Sequence, residues 1–240
     1  MSLAHIRIVL VDTLEPGNIG SAARALKTMG LIRLVLVRPT RFPHANALKM
    51  AVSAADVLEN SLVFAQLADA VAGCHAVYGV SARQRSIPLP VSTPRELAPR
   101  ALGLARNAEI AFVFGGEEAG LNNEDLGLCS SLVQIPSDPA CRSLNLAAAV
   151  QLIAYELRLA SLGTILTPTL ALPAPVESFE RLLASFDDAL AAAGYYNNKN
   201  HALALEKLRR ILQRAELSVD DVKMLLGAVG RLARRELRPK

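Results

Sequence analysis

At 240 residues, 52% of them hydrophobic, the chain is long enough to bury a substantial core, either as one large domain or as a domain with a smaller appendage. No apolar run is long enough to span a bilayer, and Met1 leads directly into a strand-like segment without a signal-peptide pattern, so a soluble, cytoplasmic protein with no membrane association is expected. The net charge of +4 permits an acidic partner without requiring one, and three cysteines (Cys74, Cys129, Cys141) lacking C-x-x-C spacing are expected to be free thiols.

In chain order, "IRIVLV" (6–11) and "IRLVLV" (32–37) are β-branched and leucine-rich runs. Between them Ser21 to Met29 carries apolar residues at helical spacing and stops at Gly30, which makes a βαβ unit. Further strands are predicted at "HAVYGVS" (75–81), "EIAFVFG" (109–115) and "SLVQIP" (131–136), each preceded by a helix-like segment. Strands this apolar suit a parallel sheet covered on both faces, and Leu144 to Leu162 supplies an alanine- and leucine-rich helix that closes an α/β domain over 1–162. Residues 163–176, with prolines at 168, 173 and 175, read as an extended linker.

Beyond the linker, 177–240 shows three helical patterns, roughly Glu177 to Gly194, Lys199 to Ala215 and Ser218 to Glu236. Ser218, Asp220 and Asp221 suit the start of the last. From Lys199 onward there are eleven Lys or Arg against five Asp or Glu, whereas the preceding residues carry fifteen against seventeen. Such a basic end can face phosphate, with Tyr195 and Tyr196 as stacking groups, or it can be the solvated face of packing helices.

Four stretches could carry chemistry. In "EPGNIGSAARALKTMG" (15–30), Gly17 and Gly20 would let the backbone turn tightly, Asn18 would cap the helix or bond the turn, and Arg24 lies one turn further on. An ordinary βα turn with a surface arginine is the alternative. The glycine spacing is not G-x-G-x-x-G, and the next strand ends in Arg38 rather than an acid, which disfavours a nicotinamide-type Rossmann site. In "FVFGGEEAGL" (112–121), glycines at the end of a parallel strand would let a ligand approach the backbone. The adjacent Glu117 and Glu118 have no His or Asp cluster beside them, so no metal is expected. "IPSDPACRSLNLAAAVQ" (135–151) places Ser143 as an N-cap, with Asn145 in the first turn of the closing helix. "GVSARQRS" (79–86) sets Arg83 and Arg85 beyond a buried strand, where guanidinium forks could grip phosphate; ordinary surface arginines are the alternative.

In this order, N-x-G-x-x-x-R, G-x-E-x-x-G-L and S-L-N together resemble the SPOUT class of RNA 2′-O-methyltransferases, of the SpoU/TrmH kind. The likeness covers residues 6–162 and, less closely, 177–230. Within the class it is nearest to the branch that methylates cytidine or uridine at position 32, the first nucleotide of the tRNA anticodon loop. The resemblance implies a trefoil-knotted parallel-sheet domain, a homodimer with active sites at its interface, tRNA as partner and S-adenosylmethionine as cofactor. It implies a cofactor site at Val80, Ser81, Ala82, Gly115, Ile135, Arg142, Ser143 and Leu144, and matches Asn18, Arg24, Glu117, Ser143 and Asn145 to the family's motif positions. Arg24 is permanently protonated, so it would stabilise a developing alkoxide or orient a phosphate rather than take a proton. Glu117 would fix the loops, while Ser143 and Asn145 shape the cofactor loop. The chain departs from the usual pattern at Val80, where threonine is common, and at Gly116, where arginine is.

Overall fold

The computed structural model describes residues 2–82, 89–163, 172–197 and 200–236. The chain divides into two compact units, Met1–Leu170 and Ala171–Lys240. In the first, the strands are β1 (Ile6–Val11), β2 (Arg33–Val37), β3 (Leu62–Phe64), β4 (Cys74–Val80), β5 (Val91–Ser92), β6 (Glu109–Phe114) and β7 (Ser131–Val133). The helices are α1 (Pro16–Met29), α2 (Ala45–Ala51), α3 (Ala55–Glu59), α4 (Leu67–Ala70), α5 (Pro94–Leu104), α6 (Asn123–Gly127) and α7 (Leu146–Leu162). Every strand pairing is parallel, and the strand order is β3-β2-β1-β6-β4-β7-β5. The α/β parallel-sheet expectation is met.

Strands β1, β2, β4 and β6 are buried along nearly their whole length on alternating sides, as continuous Val/Ile/Leu runs require when both sheet faces are covered. Helix α7 packs on α1 and α5 and so closes the unit over its central strands. Of the segment predicted as a strand over 131–136, only Ser131–Val133 forms one, and the Gln134 N–H adds a last bond to the Ser92 carbonyl at 3.0 Å. Beyond it the chain turns away from the sheet and carries Ile135 to the C-terminal edge.

The second unit consists of α8 (Val176–Ala192), α9 (His201–Arg214) and α10 (Val219–Glu236). Its core gathers Ala174, Leu182 and Val222, with Phe186 and Leu226 packed against them. The sequence reading of Ser218 as a helix start holds: its Oγ accepts from the Asp221 N–H at 3.1 Å, and the Asp221 carboxylate accepts from the Ser218 N–H at 2.8 Å. Ala174, read from sequence as linker, is instead part of this core, and its N–H donates to the Leu217 carbonyl at 2.7 Å. Residues 164–171 of that linker lie outside the described residues.

Candidate active site

Helix α1 starts earlier than the sequence suggests. Pro16 occupies the first turn, where its missing N–H is no loss, so Gly17, Asn18 and Gly20 are helical rather than parts of a turn. Gly20 is required by packing: a Cβ there would lie 2.0 Å from the carbonyl oxygen of Ala47, because α2 crosses α1 at backbone contact. The N-cap residue Glu15 supplies no side-chain cap. Glu117 does that work from the end of the neighbouring strand β6, accepting from the N–H groups of Leu14 (2.9 Å) and Glu15 (3.3 Å) and from the Asn18 amide (2.7 Å). Burial alone would push the Glu117 carboxyl up, but these donors outweigh it and hold it below the usual carboxylate range. An ionised group saturated with donors at a helix N-terminus is a structural anion and a poor proton acceptor.

The Asn18 carbonyl in turn accepts from the Asn145 amide at 3.0 Å, and the Asn145 carbonyl accepts from the N–H groups of Ala147 (2.9 Å) and Ala148 (3.3 Å). Since a carboxylate can only accept, Glu117 fixes the orientation of Asn18, and Asn18 fixes that of Asn145. This chain of bonds ties together β1–α1, the segment after β6 and the start of α7. It also makes Asn145 the N-cap of α7, a place the sequence reading gave to Ser143.

Beside the relay, at the C-terminal edge of β4, β6 and β7, lies a cavity of about 330 Å³. All eight residues expected from the resemblance to hold cofactor line it: Val80, Ser81 and Ala82 after β4, Gly115 after β6, Ile135 after β7, and Arg142, Ser143 and Leu144 before α7. Glu117 and Asn145 line it too, together with Phe114, Glu118 and Leu146, which the sequence reading had not assigned. The two glycines after β6 serve close packing. A Cβ on Gly115 would lie 2.1 Å from the Gly120 carbonyl carbon, and one on Gly116 would lie 2.4 Å from the Asp12 carbonyl oxygen. The segment folds back on itself, with the Gly120 N–H bonded to the Gly116 carbonyl at 3.0 Å.

Arg24 stands apart from the relay, and one expectation is corrected. Asn18 and Arg24 do not share a face: six helical positions separate them by about 240° and about 9 Å of rise, and Arg24 is exposed and outside its own chain's cavity. Tyr196 is committed internally, its hydroxyl donating to Asp187 at 2.9 Å and its ring lying edge-on to His201 at 4.4 Å, so of the two tyrosines Tyr195 is the more open to solvent. Arg83 and Arg85 lie outside the described residues. Sequence reasoning also missed the pairing of Asp12 with Arg38 (2.8 and 3.0 Å). Its signal was available, since β1 and β2 pair with Val11 opposite Val37 and these residues come next.

Among the described residues, no helix is long and apolar enough to cross a membrane. Residues 5–155 match the SpoU rRNA Methylase family, and 177–240 match the C-terminal domain of tRNA methyltransferase TrmJ. The tRNA (cytidine/uridine/adenosine-2′-O-)-methyltransferase TrmJ of Pseudomonas aeruginosa is 42% identical over 242 residues, covering 94% of this chain and 92% of that protein. The tRNA (cytidine/uridine-2′-O-)-methyltransferase TrmJ of Sodalis glossinidius is 41% identical over 229 residues, covering 94% and 90%. The crystal structure of TrmJ from Z. mobilis is similar with a TM-score of 0.82 at 32% identity, covering 94% of this chain and 98% of that one. With its sheet order, its cavity and these likenesses agreeing along nearly the whole sequence, the chain belongs to the SpoU methylase family, in its TrmJ branch.

Proposed function

We propose that this protein is a tRNA 2′-O-methyltransferase that uses S-adenosylmethionine and acts on cytidine or uridine at position 32 of the anticodon loop, working in the cytoplasm as a homodimer without a metal. The observation that carries the reading is the convergence of three distant segments, 80–82, 115–118 and 135–146, on one cavity beside the Glu117–Asn18–Asn145 relay.

The cavity suits that cofactor. Ile135, Leu144 and Leu146 offer apolar walls for an aromatic base, Glu117 and Glu118 favour a cationic donor, and Arg142 can meet a carboxylate. When bound, the sulfonium supplies an activated methyl group for in-line displacement. The relay holds the start of α7 and the 115–120 segment in one geometry, so alignment is set before substrate arrives. Glu117, already saturated with donors, does not take the ribose proton; that proton leaves to phosphate or water.

Arg24 acts on the partner's cavity in this account, since in its own chain it stands outside. Helix α7 supports a second copy. Ala148, Leu152, Tyr155, Leu159 and Leu162 are all exposed and recur at spacings of 4, 3, 4 and 3, an apolar seam about 21 Å long that begins one turn from Asn145. The function is tested by incubating unmodified tRNA transcripts with protein and cofactor and mapping the methylated ribose by mass spectrometry. A single methyl at position 32 is expected; methylation elsewhere in tRNA redirects the site assignment, and none on any tRNA or ribosomal RNA leaves an RNA-binding module. Mixing Arg24→Ala with Asn145→Ala protein should restore activity that neither has alone, because one of the two mixed-dimer sites is then intact.

A further inference from the structure

Arg38, just after β2, has no place in the mechanism above, yet it faces two carboxylates from a left-handed backbone. Its guanidinium grips the Asp12 carboxylate through two bonds, at 2.8 and 3.0 Å, and approaches the buried Asp125 carboxylate at 3.6 Å. Both Asp12 (φ 52°) and Arg38 (φ 48°) adopt left-handed backbone, a conformation that L side chains tolerate only where surrounding contacts enforce it. Those contacts are present. The Asp12 N–H donates to the Val37 carbonyl at 2.9 Å and the Thr40 N–H to Thr13 at 3.0 Å, which zips the loops after β1 and β2 together, while the Arg38 N–H donates to Phe64 of β3 at 3.1 Å.

The consequence reaches the cavity through the backbone. Gly116 rests on the Asp12 carbonyl so closely that no side chain fits between them, and the next residue, Glu117, clasps Leu14 and Glu15. Asp125 lies at the far end of the same 115–121 segment, where its carboxylate accepts from the Asn122 N–H at 3.3 Å and its N–H donates to the Asn122 side chain at 2.7 Å. One guanidinium therefore joins the seat of the segment at its beginning to the helix that anchors its end. With glycine at 116, the segment brings no cation of its own to this position.

We propose that Arg38 is a positioning residue for the 115–121 segment, holding Asp12 and Asp125 together so that Gly116 and Glu117 keep the geometry that receives the cofactor. This rests on the reading of the cavity as the S-adenosylmethionine site. Without Arg38, two carboxylates face one another with no counter-ion and the seat beneath Gly116 relaxes.

The test uses full-length Arg38→Gln, Arg38→Lys and the double variant Asp12→Asn/Arg38→Gln. S-adenosylhomocysteine affinity is read by calorimetry, and kcat and KM for tRNA methylation are read separately. Arg38→Gln should weaken S-adenosylhomocysteine binding about tenfold, the loss of one charge-assisted pair, and reduce kcat with little change in KM for tRNA. Arg38→Lys, which keeps the charge but not the fork, should fall between. The double variant should bind better than Arg38→Gln, because the unpaired carboxylate is gone; a merely structural role predicts additive damage instead. Wild-type affinity in Arg38→Gln, or a double variant no better than the single, overturns the proposal. If Arg38→Gln does not fold, Arg38→Lys decides on the same affinity scale. A wild type that binds S-adenosylhomocysteine but methylates no tRNA defeats the functional reading and leaves the affinity comparison decisive for Arg38; a wild type that binds none overturns both.

Discussion

Replacing Glu117 by glutamine keeps the shape of the side chain and turns one acceptor oxygen into a donor. In the native protein Oε1 serves Glu15 and Asn18 while Oε2 serves Leu14. A glutamine has two choices. Keeping its oxygen toward Asn18 sets an NH₂ group against the Leu14 N–H and leaves that donor unsatisfied. Turning the oxygen toward Leu14 forces Asn18 to flip, then Asn145, and removes the cap of α7. The first choice is cheaper and forfeits one hydrogen bond to a charged acceptor, about 1.5–3 kcal/mol, reduced to about 1–2 kcal/mol because the site is partly open to solvent. In a chain of this length that lowers the melting temperature by about 2–8 °C.

The pH dependence carries the sign. Because the folded carboxyl titrates below the ordinary value, its stabilisation is complete above about 4.3 and is lost as pH falls through the lower folded value. Thermal unfolding of wild type and Glu117→Gln, followed by circular dichroism between pH 7.5 and 3.5, should show a gap that is constant down to about pH 4.5 and then closes. Equal melting temperatures at pH 7.5, or a gap that persists unchanged in acid, would refute the assignment of Glu117 as an ionised helix anchor.

Gly20→Ala should destabilise the first unit by at least about 3 kcal/mol, since a Cβ 2.0 Å from the Ala47 carbonyl forces α2 off α1; an unperturbed urea midpoint would contradict that contact. Leu159→Glu places a charge in the exposed seam of α7 and should give a monomer in analytical ultracentrifugation with its melting temperature otherwise preserved; a persistent dimer would put the interface elsewhere. Removing residues 172–240 should weaken tRNA binding at least about tenfold while leaving S-adenosylhomocysteine binding intact, and unchanged tRNA retention would make the helical unit a packing element.

The long apolar strands were legible in the sequence because burial on both faces leaves little room for polar residues, as in β1, β2 and β6. Strands β3 and β5 were not. They are three and two residues long at the two ends of the sheet, and their exposed Leu62, Val63 and Val91 give no distinct period. The start of α1 was misread for a different reason. Local turn chemistry argues that P-G-N-I-G bends, but Gly20 answers to the neighbouring helix, and no local signal reports a partner twenty-seven residues away. The cavity residues were placed through motif resemblance, whereas the relay joining Glu117, Asn18 and Asn145 depends on which strand ends are adjacent. Helical phase alone would have shown that Asn18 and Arg24 face apart.

The order in which the sheet's strands lie differs from the order in which they leave the ribosome. β6 is inserted between β1 and β4, and β7 between β4 and β5, after both neighbours in each case have been made. A nascent chain ending near residue 108 therefore holds two hydrophobic edges with a vacant slot between them, exposed to any passing strand. The sheet cannot grow outward one strand at a time; it has to admit its middle late, and only the emergence of α7 closes the door behind it. For this protein, vulnerability to misassembly is greatest during synthesis, and a helper that shields those edges has its window between the arrival of β4 and that of β7.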